Sequence, residues 1–324
     1  MRYVKEWFLV LFLMMISFST KAQLFKSSDT LIRTRVASIT ATGLAGYGIG
    51  MVLLSKAWYK NSLTSDFHFF NDNGEWLQID KVGHVYSAYT DSRIVYNMYK
   101  WAGVRESKAV WLGIAGGTLA QVSLEVFDGF SDRWGFSWGD MTANLAGLAL
   151  FGAQQHIWRD QKITLKVSSD FRAYSHIPIT GSQSSVDYLD RRASDLYGDA
   201  IFARLLKDYN AQTNWLSVNP AAFIKSKPAW FPAFVNVAVG YSAENLYGGF
   251  GNAWEFGSNS YFLNEEEYPR YRQYLLSLDV DFTKIPTRSP FLKTVFQVLN
   301  IFKVPAPALE YNGHNGLQWH WLFF

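Results

Sequence analysis

Three short polar clusters, each at the end of an apolar, glycine-rich stretch, carry the residue types that could do chemistry. Ionisable side chains are costly in such surroundings unless they satisfy one another, bind a cation or react. Residues three or four positions apart share one face of a helix. The pairs with that spacing are Asp80 and His84, Glu125 and Asp128, and Asp140 and Asn144. The sequence therefore predicts that three helix ends direct these side chains into a single polar site.

The predicted site could work with or without a metal. Asp80, His84, Glu125 and Asp140 form an oxygen-rich ligand set with one imidazole, which suits a divalent metal. Such a metal would polarise a phosphoryl or acyl group and activate water. Without a metal, His84 could act as a general base that Asp80 or Glu125 orients. The candidate catalytic residues are therefore His84, Asp80, Glu125, Asp128 and Asp140.

Three further residues are candidates for ligand binding: Lys81, Arg133 and Asn144. Lys81 or Arg133 could hold an anionic lipid head group through charge-assisted hydrogen bonds. A purely structural interpretation stays open beside the functional one. In it Asp80 and Asp140 are helix N-caps, His84 is a satisfied buried histidine, and Glu125 pairs with Lys81.

The ends of the chain predict export to the cell envelope. Residues 1–22 have a basic start, an apolar core of about a dozen residues and small residues before a cleavage point, which is typical of a secretory signal. The chain contains no cysteine, so disulfides and acylation as a lipoprotein are excluded. The terminal aromatic Phe324 is common in outer-membrane strands, although the last strand of a soluble sheet would look similar. We expect the protein to be located in the outer membrane or at a periplasm-facing membrane surface.

The elements that must position the site predict an α+β protein in two units after the signal. Residues 23–160 should form a glycine-rich bundle of about four helices, partly embedded in membrane. The helices are expected at residues 36–55, 84–101, 109–124 and 141–158. Only two or three of them are long and apolar enough to enter lipid.

Residues 161–324 should form an antiparallel β-rich unit. Alternating patterns predict strands at residues 162–167, 234–241 and 274–282 and a hairpin at the C-terminus, with helices at residues 195–216 and 290–302. Fewer than about eight strands are visible, which favours a small sheet or partial barrel over a closed transmembrane barrel.

Composition limits the partners. The net charge is +3 with both signs interspersed, which argues against nucleic acid. Aromatic residues make up 17% of the chain, with 13 Trp and 18 Tyr, and such rings favour membrane interfaces and sugar-binding surfaces. Membrane lipid or an envelope glycan is the expected partner.

The polar clusters also resemble those of a known family. The pattern is similar to that of YfiM-type uncharacterised envelope proteins, in the long version of Bacteroidetes-type bacteria, and more distantly to VanZ-like membrane proteins. The resemblance implies an envelope protein of unassigned activity, structural or lipid- or glycan-binding. The alternative is a metal-assisted or His-based hydrolase of lipid or cell-wall substrates. The residues that carry the resemblance are Asp80-Lys81-x-x-His84, Glu125, Asp128-Gly129 and Trp138-Gly139-Asp140-x-x-x-Asn144.

Overall fold

The computed structural model describes residues 25–58, 66–226, 228 and 230–324. The expected signal at residues 1–22 lies outside this part of the chain. Four helices come first: α1 (Arg33–Trp58), α2 (Ile79–Trp101), α3 (Glu106–Gly129) and α4 (Trp138–Trp158). A short 3-10 turn, Glu75–Gln78, leads into α2. The predicted set of four N-terminal helices is confirmed.

Small residues allow α2, α3 and α4 to pack closely. A Cβ atom at Gly147 of α4 would lie 2.2 Å from the backbone oxygen of Val85, and one at Gly117 of α3 would lie 2.4 Å from Ser92 Oγ. Both distances are too short for a side chain, so only glycine permits this approach. Around the contact, Tyr89 and Phe151 are fully buried. The glycines that weaken these helices in isolation therefore bring three helix ends together.

Among the residues that the structure describes, two helical segments are long and apolar enough to cross a membrane by length and composition, Arg33–Ser55 and Glu106–Gly129. They differ in burial. No residue in the apolar stretch of α1 is buried. Arg35 joins this helix to the bundle by donating to the backbone oxygen of Trp101 at 3.0 Å. The window in α3 is partly buried because α3 packs against α2 and α4.

The second half of the chain forms an antiparallel sheet of six strands in the order β1-β4-β5-β8-β9-β10. Two small hairpins, β2–β3 and β6–β7, and three short helices accompany it. The strands are β1 (Ile163–Ser169), β2 (Pro178–Thr180), β3 (Val186–Tyr188), β4 (Gln212–Val218), β5 (Val235–Glu244), β6 (Ala253–Phe256), β7 (Asn259–Phe262), β8 (Tyr271–Val280), β9 (Ala306–Asn312) and β10 (Gly316–Phe323). The short helices are α5 (Leu189–Tyr197), α6 (Ile201–Lys207) and α7 (Pro290–Leu299).

This architecture confirms the α+β fold class. Within the described residues the sheet ends at β1 and β10, so it is open and not a closed barrel. One sequence prediction is wrong: residues 195–216 are not a single helix. The chain leaves α5 at Gly198, where φ is +77°, and after α6 it turns through Asn210 into β4. Asn210 fixes that turn because its Oδ1 accepts a hydrogen bond from the backbone N–H of Leu246 at 2.7 Å.

The sheet packs against the helical bundle along its β1 edge. Leu165 of β1 is buried with Tyr89 and Phe151 in one apolar cluster. At the start of β4, the hydroxyl of Tyr209 donates to Asp80 Oδ1 at 2.7 Å. The sheet thus contacts the first turn of α2, which is where the sequence predicted the polar site.

Candidate polar site at the helix ends

The first turns of α2 and α4 and the last turns of α3 meet in one polar cluster. Ser137 is the N-cap of α4, and its hydroxyl accepts from the backbone N–H of Asp140 at 3.1 Å. The same hydroxyl donates to Asp72 Oδ1 at 2.6 Å. Asp80 and Asp140 therefore occupy first helical turns, where the backbone dipole favours negative charge. The alternative that either residue is itself an N-cap is wrong.

Lys81 is the cation at the centre of this cluster. Its Nζ lies 2.6 Å from Asp140 Oδ1, 2.7 Å from Asp72 Oδ1 and 3.3 Å from Asp80 Oδ2. The alternative pairing of Lys81 with Glu125 is wrong, because three other carboxylates surround the ammonium group. This arrangement leaves little positive charge at Lys81 to hold an anionic head group.

His84 faces the same carboxylates from the next turn of α2. Its Nε2 lies 3.6 Å from Asp140 Oδ1 and 3.8 Å from Asp80 Oδ1. On the other side of the ring, Nδ1 lies 3.1 Å from Asn144 Oδ1 and 3.7 Å from Glu125 Oε1. The structure therefore brings together Asp80, Lys81, His84, Glu125, Asp140 and Asn144.

Three atoms of the cluster are buried without a hydrogen-bond partner among the described residues: Asp140 Oδ1, Glu125 Oε1 and Asn144 Nδ2. Asp140 Oδ1 has an ion pair with Lys81 instead, which leaves the atoms of Glu125 and Asn144. Glu125 is fully buried, and its other oxygen accepts only a long bond of 3.3 Å from the backbone N–H of Ser137. Buried polar atoms are nearly always satisfied in folded proteins. An acceptor and a donor left open on two residues that both approach His84 Nδ1 are typical of a site that takes a ligand.

The carboxylates titrate differently because their partners differ. Burial and the charge of Asp80 raise the pKa of Asp140 above its usual value, although His84 and Lys81 oppose this. For Asp72, burial acts upward, but hydrogen bonds from Asp140, Lys81 and Ser137 outweigh it and lower the pKa. The protonated form is therefore favoured more at Asp140 than at Asp72. An acid next to a carboxylate is the pairing used in general acid–base chemistry.

The two cations of the cluster are stabilised in their charged forms. Burial alone would lower the pKa of Lys81, but Asp80 and Asp140 outweigh it and raise that pKa above its usual value. Burial also acts downward on His84, and Asp80, Asp140 and Glu125 together raise its pKa. Nearby, burial and the charges of Asp72 and Asp80 raise the pKa of Glu75 to about 7.

A divalent cation would find three converging ligand groups here. One ligand atom each from Asp80, His84 and Asp140 lie within 4.8 Å of one another. The ammonium group of Lys81 already contacts the carboxylates of Asp80 and Asp140, so a metal would compete with it for these two ligands. The donor set fits a metal, and the resident lysine weakens that fit.

Two predicted site residues lie away from these contacts or at their margin. Arg133 is on the exposed loop between α3 and α4, and its backbone N–H bonds to Ser131 Oγ, so the structure does not bring its charge to the cluster. Asp128 is half-buried in the last turn of α3, where its backbone oxygen accepts from the N–H of Ser131 at 2.9 Å.

Sequence reasoning missed three residues of the cluster: Asp72, Ser137 and Tyr209. Ser137 could have been found, because a serine three positions before Asp140 at the start of an apolar run is a capping signal. Asp72 and Tyr209 lie on loops far along the chain from their partners, and no local pattern marks them.

A long apolar groove between α3 and α4 reaches the cluster. Its volume is about 1190 Å³, and its lining is mainly apolar. Along α3 it extends from Ser107 to Val122, which corresponds to about 22 Å of helix. Asn144 lines the groove and also contacts His84, so the groove and the polar cluster share a wall.

Comparison with known proteins identifies one family over the segment that holds this site. Residues 66–153 match a family model. The family is described as "Predicted periplasmic lipoprotein (DUF2279)". No curated protein and no solved structure shows significant similarity to the chain. The match supports an exported, envelope-associated protein of an uncharacterised periplasmic family. The chain departs from the description because it has no cysteine to carry a lipid.

Proposed function

We propose that the protein binds a lipid-like amphiphile in the envelope, with the apolar chain between α3 and α4 and the polar end at Asn144 and His84. The observation that supports this is the shared wall. Asn144 bonds to His84 through Oδ1, and its Nδ2 is buried with no hydrogen-bond partner among the described residues. A carbonyl or phosphoryl oxygen of a ligand would accept from that donor, while a hydrocarbon chain fills the groove.

The chemistry of the groove favours an acyl chain over a glycan. Sugar sites need many polar partners, whereas this lining is mainly apolar. A groove of about 22 Å accommodates an extended hydrocarbon chain that would otherwise lie in one leaflet, whose hydrocarbon is about 15 Å thick. We also propose that the protein is related to the YfiM-type and, more distantly, the VanZ-like proteins, and that it is located in the outer membrane.

A matched pair of variants on α4 tests the groove. Ala149 is exposed and lines it, whereas Ala146 is exposed on the same helix outside the lining. We expect Ala149→Trp to weaken binding of a fluorescent fatty acid at least about tenfold, equivalent to about 1.4 kcal/mol. Ala146→Trp should bind as the wild type does. Equal affinity of the two variants would refute the groove as the binding site.

A second candidate function is a metal-assisted or His-based hydrolase. The convergence of Asp80, His84 and Asp140 favours it, and the raised pKa of Asp140 beside the lowered pKa of Asp72 is consistent with it. A bound metal would polarise a phosphoryl or acyl oxygen and activate water. Glu125 would orient the imidazole of His84 from the side opposite the metal ligands.

Elemental analysis of the purified chain tests this candidate. We expect a stoichiometric divalent metal that is lost in His84→Ala and retained in His156→Ala, because His156 is exposed at the far end of α4. Lys81→Met should bind the metal more tightly, since it removes the competing ammonium group. Absence of stoichiometric metal from all of these proteins, including Lys81→Met supplied with zinc or manganese, would eliminate the metal-assisted mechanism.

A further inference from the structure

The six-stranded sheet has the reverse of the usual polarity. Along β8, the buried positions are Gln273, Leu275, Ser277 and Asp279, of which three are polar. The alternating positions Tyr274, Leu276 and Leu278 are apolar or aromatic and about half exposed. A water-facing sheet normally buries its apolar residues and exposes its polar ones. Here the polar face is inside.

Several inward polar residues bond to one another, although Asp279 Oδ1 and Asn214 Nδ2 are buried without a hydrogen-bond partner among the described residues. Lys166 Nζ lies 2.8 Å from Asp279 Oδ2, the hydroxyl of Ser217 donates to the same oxygen at 2.6 Å, and Asn236 Nδ2 donates to Ser217 at 2.9 Å. Lys166, Ser217 and Asn236 are fully buried. The interior of the sheet therefore holds a polar network beside a small apolar cluster of Trp215, Ala238, Leu275 and Ala308.

Strand register places the outward residues in straight rows across the sheet. One row consists of Tyr241, Tyr274 and Tyr311, which pair directly on β5, β8 and β9. The next row consists of Val239, Leu276, Leu309 and Trp319 on β5, β8, β9 and β10. Val237 and Leu278 form a third. The outer face is thus an apolar surface with tyrosines along one border.

The residue beyond the tyrosine row is charged. Arg272 on β8 pairs with Ala243 on β5, and its Nε donates to the hydroxyl of Tyr241 at 3.1 Å. The 3-10 turn before α2 covers this end of the row, because Arg272 Nη2 donates to Gln78 Oε1 at 2.6 Å and the Tyr241 hydroxyl donates to the backbone oxygen of Leu77. The face therefore changes from aliphatic to aromatic to charged along the strand. Tyrosine is enriched where one end of the ring is in hydrocarbon and the other in water.

We propose that the outer face of β5, β8, β9 and β10 lies against the acyl chains of a lipid bilayer, with the exposed tyrosines Tyr274 and Tyr311 at head-group level. From Tyr274 to Leu278 the strand rises about 14 Å. This is close to the hydrocarbon thickness of one leaflet, about 15 Å. The reversed polarity, the tyrosine border and the height of the apolar rows all fit this partner.

The distribution of apolar surface favours lipid over a second copy of the chain. Ile49 and Leu53 on α1 are 62% and 61% exposed, and Trp111 on α3 is 70% exposed. These side chains are on the helical unit and not on the sheet face. One dimer interface would cover one face and leave the others in water, whereas a bilayer can cover all of them.

Site-specific labelling tests the proposal cleanly because the chain has no cysteine. Leu276→Cys places a fluorescent label on the outer face, and Glu266→Cys places the same label on an exposed loop as the matched control. Each full-length protein is incorporated into phosphatidylcholine vesicles with or without bromine on the acyl chains. Bromine quenches only fluorophores that contact the hydrocarbon, and aqueous iodide quenches only those in water.

We expect the Leu276→Cys label to lose more than half of its fluorescence to brominated lipid and little to iodide, with the reverse for Glu266→Cys. Iodide quenching of both labels to the same extent would overturn the proposal. A second result would also overturn it: neither quencher reaches the label at Leu276→Cys, and the unlabelled Leu276→Cys protein forms a disulfide-linked dimer. A second copy of the chain would then cover the face. Leu278→Cys repeats the measurement if Leu276→Cys fails to fold. The sheet face is separate from the groove, so loss of fatty acid binding in Ala149→Trp would leave this result unchanged.

Discussion

Two buried glutamates, each beside a histidine, differ in how fully they are bonded. Glu310 in the sheet accepts from Gln273 at 2.8 Å and from Asn312 at 2.6 Å through Oε1, and its Oε2 lies 2.7 Å from His320 Nε2. Glu125 in the helical bundle is equally buried, yet its Oε1 has no hydrogen-bond partner among the described residues. Its distance to His84 is 3.7 Å.

The difference separates a structural carboxylate from a functional candidate. A fully bonded buried group stabilises one arrangement and has no capacity left for a ligand. A buried group with an open acceptor costs stability, and such costs are concentrated at functional sites. Glu310 therefore helps to hold the sheet in one arrangement. Glu125 at the helix ends keeps one acceptor available.

The largest effect that this comparison predicts is at Glu310. Glu310→Ala leaves Gln273, Asn312 and His320 without their common acceptor. We expect the free energy of unfolding to fall by about 3 kcal/mol, measured by thermal or chemical unfolding in detergent. Glu310→Gln keeps one acceptor and should lose less.

Glu125→Ala is the matching variant in the helical bundle, to be compared with Glu310→Ala in the sheet. It removes one long hydrogen bond and one distant histidine contact, so it should cost clearly less than Glu310→Ala. If the two alanine variants lose the same stability, the distinction between a bonded and an open glutamate is wrong.

A smaller effect is expected in the pH dependence of stability. The pKa of Asp140 is raised in the folded protein, mainly by burial and the charge of Asp80. The folded state therefore binds more protons than the unfolded state, and stability should fall as the pH rises through the folded pKa. One such proton corresponds to at most about 1.4 kcal/mol per pH unit. Asp140→Asn should make the fall less steep.

Other groups act in the same direction and set the size of that change. The pKa of Glu75 is raised to about 7 by burial and nearby carboxylates, and the pKa of His84 is also raised. Asp140→Asn should therefore reduce the slope without abolishing it. Unfolding measured in steps from pH 5 to pH 9 gives the slope. An unchanged or steeper slope in the variant would contradict the assignment of a proton to Asp140.

Much of the fold was predictable because it is encoded locally. Glycine-rich apolar runs predicted three of the four helices, and a more polar run at residues 84–101 predicted the other. Period-two patterns predicted β1, β5, β8 and the terminal hairpin. The prediction of a single helix at residues 195–216 was wrong because the turn at Asn210 depends on a contact with Leu246, which lies 36 residues further along the chain. The reversed polarity of the sheet was also hidden, since alternation alone does not say which face is inside.

The site was partly predictable for the same reason. Asp80 with His84, and Asp140 with Asn144, are spaced for one helix face, and the structure places each pair at the cluster. Tyr209 reaches Asp80 from 129 residues away, through the packing of the sheet on the bundle. Such a contact follows from tertiary structure and has no sequence signal.

The smallest effect on stability is expected at Glu125 itself, and it sharpens the comparison most. Glu125→Gln keeps an oxygen to accept from the Ser137 N–H and removes a buried charge, but it gives up attraction to His84. These changes oppose one another, so the free energy of unfolding should change by no more than about 1 kcal/mol in either direction. If Glu125 is kept for a ligand, the same variant should weaken fatty acid binding or metal content well beyond that shift. A variant with both properties unchanged would instead make Glu125 a tolerated buried carboxylate, because its open acceptor would then have neither a structural nor a functional use.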